Sequence, residues 1–449
     1  SEGEEIDEEA LAQTERNLRA LPFVRRARIE KTLTQEGNVH IRVTLLDSWS
    51  TQPEFRFAKT GNDVYWAVGL TEKNFLGYGK ELKILRSSDL DRQQTFAQYN
   101  DPRFFGSRVQ TNTLVSDASD GHRIHFQALR PFYAIDTMWS FRAQYEDFER
   151  LDPIYAMGER VDELHHLRQR KEVELARAVK RTPTTAVRVH IGYDGVRETF
   201  DETLDSRRFG MIRTGISSVS HRFLKLNYLN RFERPDDINL GNETAGFIGV
   251  STPETGGEDS TSWHFLFTEN VGFRLNNKGF VLTRASWEAR HRNEQVENSL
   301  FSLRVNLVQK LTNKSVFLAK AELVHGHQLD AERQVRLGAD NGLRGYPVRQ
   351  FNGDRSFLVS AEARWFLFDD VANLASIGVA TFIDTGYAWP KGQPMVLSDM
   401  QSDVGMSLLI GGSRVSASRP GVRIDLAYAF SPIEGHRRWL FSLGSQMGF

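Results

Sequence analysis

Glu362 and Asp384 stand in strand-like stretches, where alternation fixes the side each carboxylate takes. Asp384 shares a face with Phe382 and Gly386, opposite Ile383, Tyr387 and Trp389. By the same parity Glu362 and Arg364 face inward, as Asp384 does, while Val359, Ala361, Ala363 and Trp365 face out. Carboxylates on neighbouring strands suit a guanidinium, whose planar fork of donors matches them bidentately where a lysine would not. Arg344 is the candidate for that role. Gly345 beside it permits a tight backbone, and Tyr346 adds an apolar body with a polar end. The bland alternative is a solvated loop arginine and a chance interior acid.

Such chemistry holds a structure together and breaks no bonds. Cysteine is absent, which removes disulfides, cysteine–zinc sites and thiol catalysis. No G-x-S-x-G, H-E-x-x-H or S-x-x-K arrangement suggests an enzyme. Glu163 with His165 and His166 could suggest a metal, but adjacent residues of a strand point to opposite faces, so solvated loop histidines are expected. No catalytic residue, metal or other cofactor is expected.

The elements that would position these groups follow from composition and period. The 449 residues carry a net charge of -1, which points to no nucleic-acid partner. Forty per cent are hydrophobic, mean hydropathy is -0.45, and no stretch approaches the roughly 20 apolar residues of a membrane-crossing helix. A transmembrane β-strand needs only about 9–11 residues and alternates lipid-facing with lumen-facing side chains, so a barrel passes that test.

Asp7 is a plausible helix N-cap, and Leu11, Thr14, Leu18 and Leu21 recur at helical spacing. Ala27 and Ile29 then alternate with charged neighbours, Glu36-Gly37-Asn38 supplies a turn, and Val39, Ile41, Val43 and Leu45 alternate again. About 45 residues cannot bury a self-sufficient core, so a larger unit is expected, with part of it before Ser1.

From about residue 64 the pattern is all-β. Val422, Ile424, Leu426, Tyr428 and Phe430 oppose Arg423, Asp425, Ala427 and Ala429. Phe301, Leu303, Val305 and Leu307 oppose Ser302, Arg304 and Asn306. Trp439, Phe441 and Phe449 share a face in the final stretch. A soluble sandwich could show the same alternation. Strands of about ten residues or more, continuing without a domain break, favour a membrane barrel with its charged face inward. Trp287, Trp365, Tyr387, Trp389 and Trp439 are then expected as interfacial girdles. About 18 strand-like runs can be counted, within the bacterial range. The polar stretches Arg234 to Gly241 and Thr252 to Ser262 suit outside loops.

Asn341-Gly342-Leu343-Arg344-Gly345-Tyr346 resembles the R-G-Y/F signature of the BamA/TamA superfamily of outer-membrane assembly and translocation barrels. Its companions follow in order: Gly353-Asp354-Arg355 leads the strand of Glu362, Phe382-Ile383-Asp384-Thr385-Gly386 gives F-x-D-x-G, and Phe449 ends the chain. Upstream, Gly69-Leu70 through Asn74-Phe75-Leu76-Gly77-Tyr78-Gly79 resembles the barrel entry, and Asp101-Pro102 with Phe105-Gly106 its first hairpins. Residues 7–50 are similar to the second half of a POTRA domain.

The resemblance implies a mainly β protein: a sixteen-stranded transmembrane antiparallel barrel preceded by a partial α+β POTRA domain. Residues 1–50 would be the POTRA part, 51–63 a linker and 64–449 the barrel. It implies that a loop from about 327 to 353, between strands eleven and twelve, folds into the lumen so that Arg344 meets Asp384, with Glu362 in reach. It also implies a weak seam between first and last strands. The expected location is the bacterial outer membrane with the POTRA part in the periplasm. Expected partners are outer-membrane lipids, unfolded or partly folded client polypeptides and periplasmic accessory proteins. Assembly or translocation of polypeptides is the expected function; a passive or specialised channel, or an anchor for a fused N-terminal domain, is the alternative.

Overall fold

A computed structural model describes residues 24–33, 39–47 and 50–444, apart from 202–203, 230–234, 373–374 and 413–420, together with Leu11, Thr14, Glu15 and Leu18. Among the described residues twenty antiparallel strands close into one barrel, each hydrogen-bonded to its neighbours in chain order. Closure pairs the strands' backbone polar groups with their neighbours, and the pairing is shortest where the first and last strands meet. The first barrel strand is Thr51–Thr60 and the last is Trp439–Gly444. Among the described residues they meet through Ser442 opposite Thr60 and Leu443 opposite Lys59.

The expected sixteen-stranded barrel is therefore corrected to twenty. The strand-like runs exceeded sixteen because the extra strands are real. Five strands follow the long loop between Ser315–His327 and Arg355–Val371, as five of sixteen would follow strand eleven. The four additional strands (20 minus 16) thus precede that loop. One lies in the stretch expected as the linker 51–63, where Phe55 and Phe57 face out and Glu54 and Arg56 alternate with them.

No complete α+β domain forms among the described residues. A two-stranded ribbon, Val24–Leu33 with Val39–Asp47, precedes the barrel, pairing Ala27 with Leu45 and Ile29 with Val43. Leu11, Thr14, Glu15 and Leu18 have helical backbone. Asp7, Leu21 and the turn at 36–38 lie outside the described residues.

The barrel is apolar outside and charged inside. Phe55 (77% exposed), Ile191 (60%), Ile216 (61%) and Met406 (62%) stand on the outer face. Large apolar side chains exposed on strand after strand suit contact with lipid. Trp287, Trp365 and Trp439 are exposed there. Trp389 is not a girdle residue: it is completely buried, and its indole N–H donates to Asp399 Oδ2 at 3.0 Å. Tyr387 packs against Trp389 and Phe351. His165 and His166 belong to a strand, Glu159–Arg181, and not to a loop. His166 is buried between Phe148 and Phe200 and bonded to Asp152.

Two segments turn into the lumen from opposite ends. One is the loop 328–354. The other connects Arg207–Ser220 to Asn242–Ser251 and forms a hairpin, Phe223–Asn227 with Pro235–Asn239. The expected outside loop at 234–241 is half of this hairpin. Its position is explained by its apolar residues: Leu229 and Leu240 are buried against Phe280, Val308 and Leu318.

Candidate functional site

The site begins with the strands Arg355–Val371 and Ala375–Trp389, whose register places Ser360 opposite Asp384 and Glu362 opposite Phe382. The next strand, Gln401–Gly412, places Asp403 opposite Asp384. Because side chains alternate, one patch of inner wall gathers Ser360, Glu362, Phe382, Asp384 and Asp403. All are buried.

The loop 328–354 lays Arg344 on that patch. Its guanidinium forks onto Asp384, Nε to Oδ2 at 2.7 Å and Nη2 to Oδ1 at 2.8 Å. Nη1 donates to Glu362 Oε2 at 2.6 Å, and Nη2 reaches Ser360 Oγ at 3.3 Å. The guanidinium Cζ lies 3.5 Å from the centre of the Phe382 ring, which supplies a cation–π contact. Burial by itself works against the charged form of Arg344, but Asp384 and Glu362 more than offset it, so the group is held protonated more firmly than a free arginine.

The other motif residues shape the approach. A Cβ on Gly345 would stand 2.5 Å from Asp403 Cβ, so only glycine lets the loop tip sit this close to the wall. A Cβ on Gly386 would meet Leu337 of the loop at 3.0 Å. Tyr346 is buried with Leu337, Leu343 and Phe351 in a small apolar core beneath the loop. Its hydroxyl donates to the Ser402 carbonyl at 3.1 Å.

Arg423 was not singled out by sequence reasoning. It forks onto Glu362 with Nη1–Oε1 and Nη2–Oε2 both at 2.9 Å, and Nε donates to Asp425 at 2.7 Å. Arg364 donates to Glu362 Oε1 at 2.5 Å. Glu362 thus joins three guanidiniums, those of Arg344, Arg364 and Arg423. The available signal was alternation: Arg423 and Asp425 were legible as the charged face of their strand, and they close the patch from that side. Of the aromatic residues in the final stretch, Trp439 and Phe441 face outward, away from this patch, and Phe449 lies outside the described residues.

A second anchor holds the loop at the rim. Arg349 forks onto Asp91 with Nη1–Oδ1 at 2.6 Å and Nη2–Oδ2 at 2.8 Å, and Tyr155 donates to Asp91 at 2.7 Å. Burial raises the Asp91 carboxyl, yet Arg349 and the Tyr155 hydroxyl together bring it below its ordinary value. Elsewhere the loop's Asp330 pairs with Arg290 at 2.7 Å and Arg207 at 2.6 Å. Among the described residues no group of three His, Asp or Glu is placed to hold a metal. The arrangement can immobilise a loop across a charged lumen.

No family model matches the chain, and no curated protein does either. Among solved structures it is similar to BamA from Haemophilus ducreyi lacking POTRA domains 1-3, at 12% identity and a TM-score of 0.45, covering 99% of this chain and 80% of that one. It is similar to CdiB from Escherichia coli at 12% identity and a TM-score of 0.45, covering 99% of this chain and 72% of that one. It is also similar to OccK5 (OpdH) from Pseudomonas aeruginosa at 9% identity and a TM-score of 0.37, covering 88% of this chain and 94% of that one.

Proposed function

We propose that this chain is an outer-membrane barrel that inserts or translocates client polypeptides, with a lumenal loop fixed by Arg344 as its working part. The observation that carries the reading is the buried fork of Arg344 on Asp384, extended to Glu362. Insertion and translocation require a defined lumen and no covalent chemistry, which accords with ionic groups engaged in holding the structure. The ribbon at 24–47 belongs on the periplasmic side in this reading, where clients and accessory proteins would be met.

A specialised channel is the second reading, favoured by the charged lining. A cavity of about 1050 Å³ beside the site is bordered by Arg56, Lys320, Arg344, Arg364, Arg423 and Asp425. Depletion of the chain separates the two. Loss of folded outer-membrane proteins or of a secreted polypeptide, restored by the wild-type chain and not by Arg344→Ala, is the expected result. Unchanged levels of every such protein would leave the channel.

A further inference from the structure

An apolar area of the inner wall lies outside the contacts of Arg344. Phe280, Val308, Val316, Leu318 and Phe366 are all buried there. Val316 lies opposite Arg364 and Leu318 opposite Glu362, so these side chains point into the lumen like their charged neighbours. What covers them is the hairpin at 223–239, through Leu224, Leu226, Tyr228, Leu229, Ile238 and Leu240. Gly272 leaves the wall recessed: a Cβ there would stand 2.5 Å from Leu240 Cα.

Polar contacts hold the hairpin through backbone and side chains alike: at its base Arg222 Nη2 donates to the Leu240 and Gly272 carbonyls, both at 2.9 Å. Lys310 Nζ donates to the carbonyls of Asn227 at 3.0 Å and Tyr228 at 3.3 Å. Arg364 Nη1 donates to the Leu229 carbonyl at 3.2 Å. The Tyr228 hydroxyl adds a side-chain bond to Asp369 at 3.1 Å. The hairpin's own strands pair with each other and not with the barrel. It can leave the wall with its internal ladder intact, giving up apolar contact and a few donated hydrogen bonds.

The apolar floor receives the hairpin's strands through Leu224, Leu226 and Ile238, and the cations hold carbonyls of the bend that follows, where Tyr228 has a φ of 55°. We infer that this wall is a binding site for an apolar segment of a polypeptide, and that the hairpin is its resident occupant, holding the lumen closed until a client displaces it. This rests on the polypeptide-handling reading above.

The test replaces residues 222–240 with an Asn-Gly turn in the otherwise full chain, reconstituted in planar bilayers. Heat-modifiable gel mobility first establishes that the barrel folds. Single-channel conductance rises, and a synthetic peptide of residues 222–240 returns it to the parent value. The same peptide carrying Leu224→Ser, Leu226→Ser, Leu229→Ser, Ile238→Ser and Leu240→Ser does not. In the full chain, Leu226→Ser with Leu240→Ser raises conductance without any deletion. Equal block by both peptides, or no block by either, overturns the site. So does unchanged conductance in the Leu226→Ser, Leu240→Ser chain, which also decides the matter if the deletion fails to fold. A peptide that blocks while depletion affects no client would refute the client function and leave the wall site standing; a depletion phenotype without peptide block would do the reverse.

Discussion

The loop 328–354 and the hairpin at 223–239 both fill the lumen and both bury apolar side chains against the wall, but they differ in the polar groups that hold them. The loop is fixed chiefly by guanidinium–carboxylate forks, of Arg344 on Asp384 and of Arg349 on Asp91. The hairpin is fixed by apolar packing and by cations that bind its carbonyls. A fork demands one geometry and fails when one partner is lost, whereas an apolar floor tolerates displacement and replacement. The contrast makes the loop a fixed part and the hairpin an exchangeable one.

Arg344→Ala tests the fixed part most severely. It leaves Asp384 without its fork and removes one of three cations from Glu362, and breaking a buried pair from one side costs about 3–5 kcal/mol. The expected result is a lower heat-modification temperature and protease cleavage within 328–354. Arg344→Lys rescues little, since it offers no fork. Equal behaviour of all three chains would remove the distinction between loop and hairpin.

Leu318→Ala addresses the hairpin and should cost about 2–5 kcal/mol through lost packing and the cavity left behind. Cleavage should then appear within residues 223–229 with the loop 328–354 still protected, as peptide mapping would show. Cleavage of both segments together would mean that they move as one body.

The smallest effect is expected at the rim. A carboxyl held below its ordinary value in the folded state contributes stability that is complete above its unfolded value and fades as pH falls through the folded one. Asp91 is such a group. The Arg349 latch should therefore hold at neutral pH and release only in acid, below the usual carboxylate range. Protease accessibility near Arg349 as a function of pH checks this, and Asp91→Asn should make the latch loose at every pH.

The loop's anchor was legible because two kinds of pattern converged on it. Motif order pointed to Arg344, and strand parity turned Glu362 and Asp384 to the same side. The hairpin was not legible, because a Gly-, Pro- and Asp-rich connection reads as a surface loop when nothing in the sequence reveals an apolar wall 40 to 140 residues downstream. Phe280, Val308 and Phe366 belong to three different strands and become one surface only on closure. Strand number shows a different limit. Counting runs from the residues came nearer to twenty than the family's sixteen did, since alternation is local whereas a family's strand number is not.

Arg364 donates to Glu362, which holds the loop, and to the Leu229 carbonyl, which belongs to the hairpin. One guanidinium thus has a stake in two equilibria, and thermodynamic linkage makes any coupling between them reciprocal. If emptying the hairpin's place changes the loop's opening constant by some factor, opening the loop must change hairpin release by that same factor. In the proposed function, a client that displaces the hairpin at one mouth of the barrel would then alter the energetics of the loop at the other.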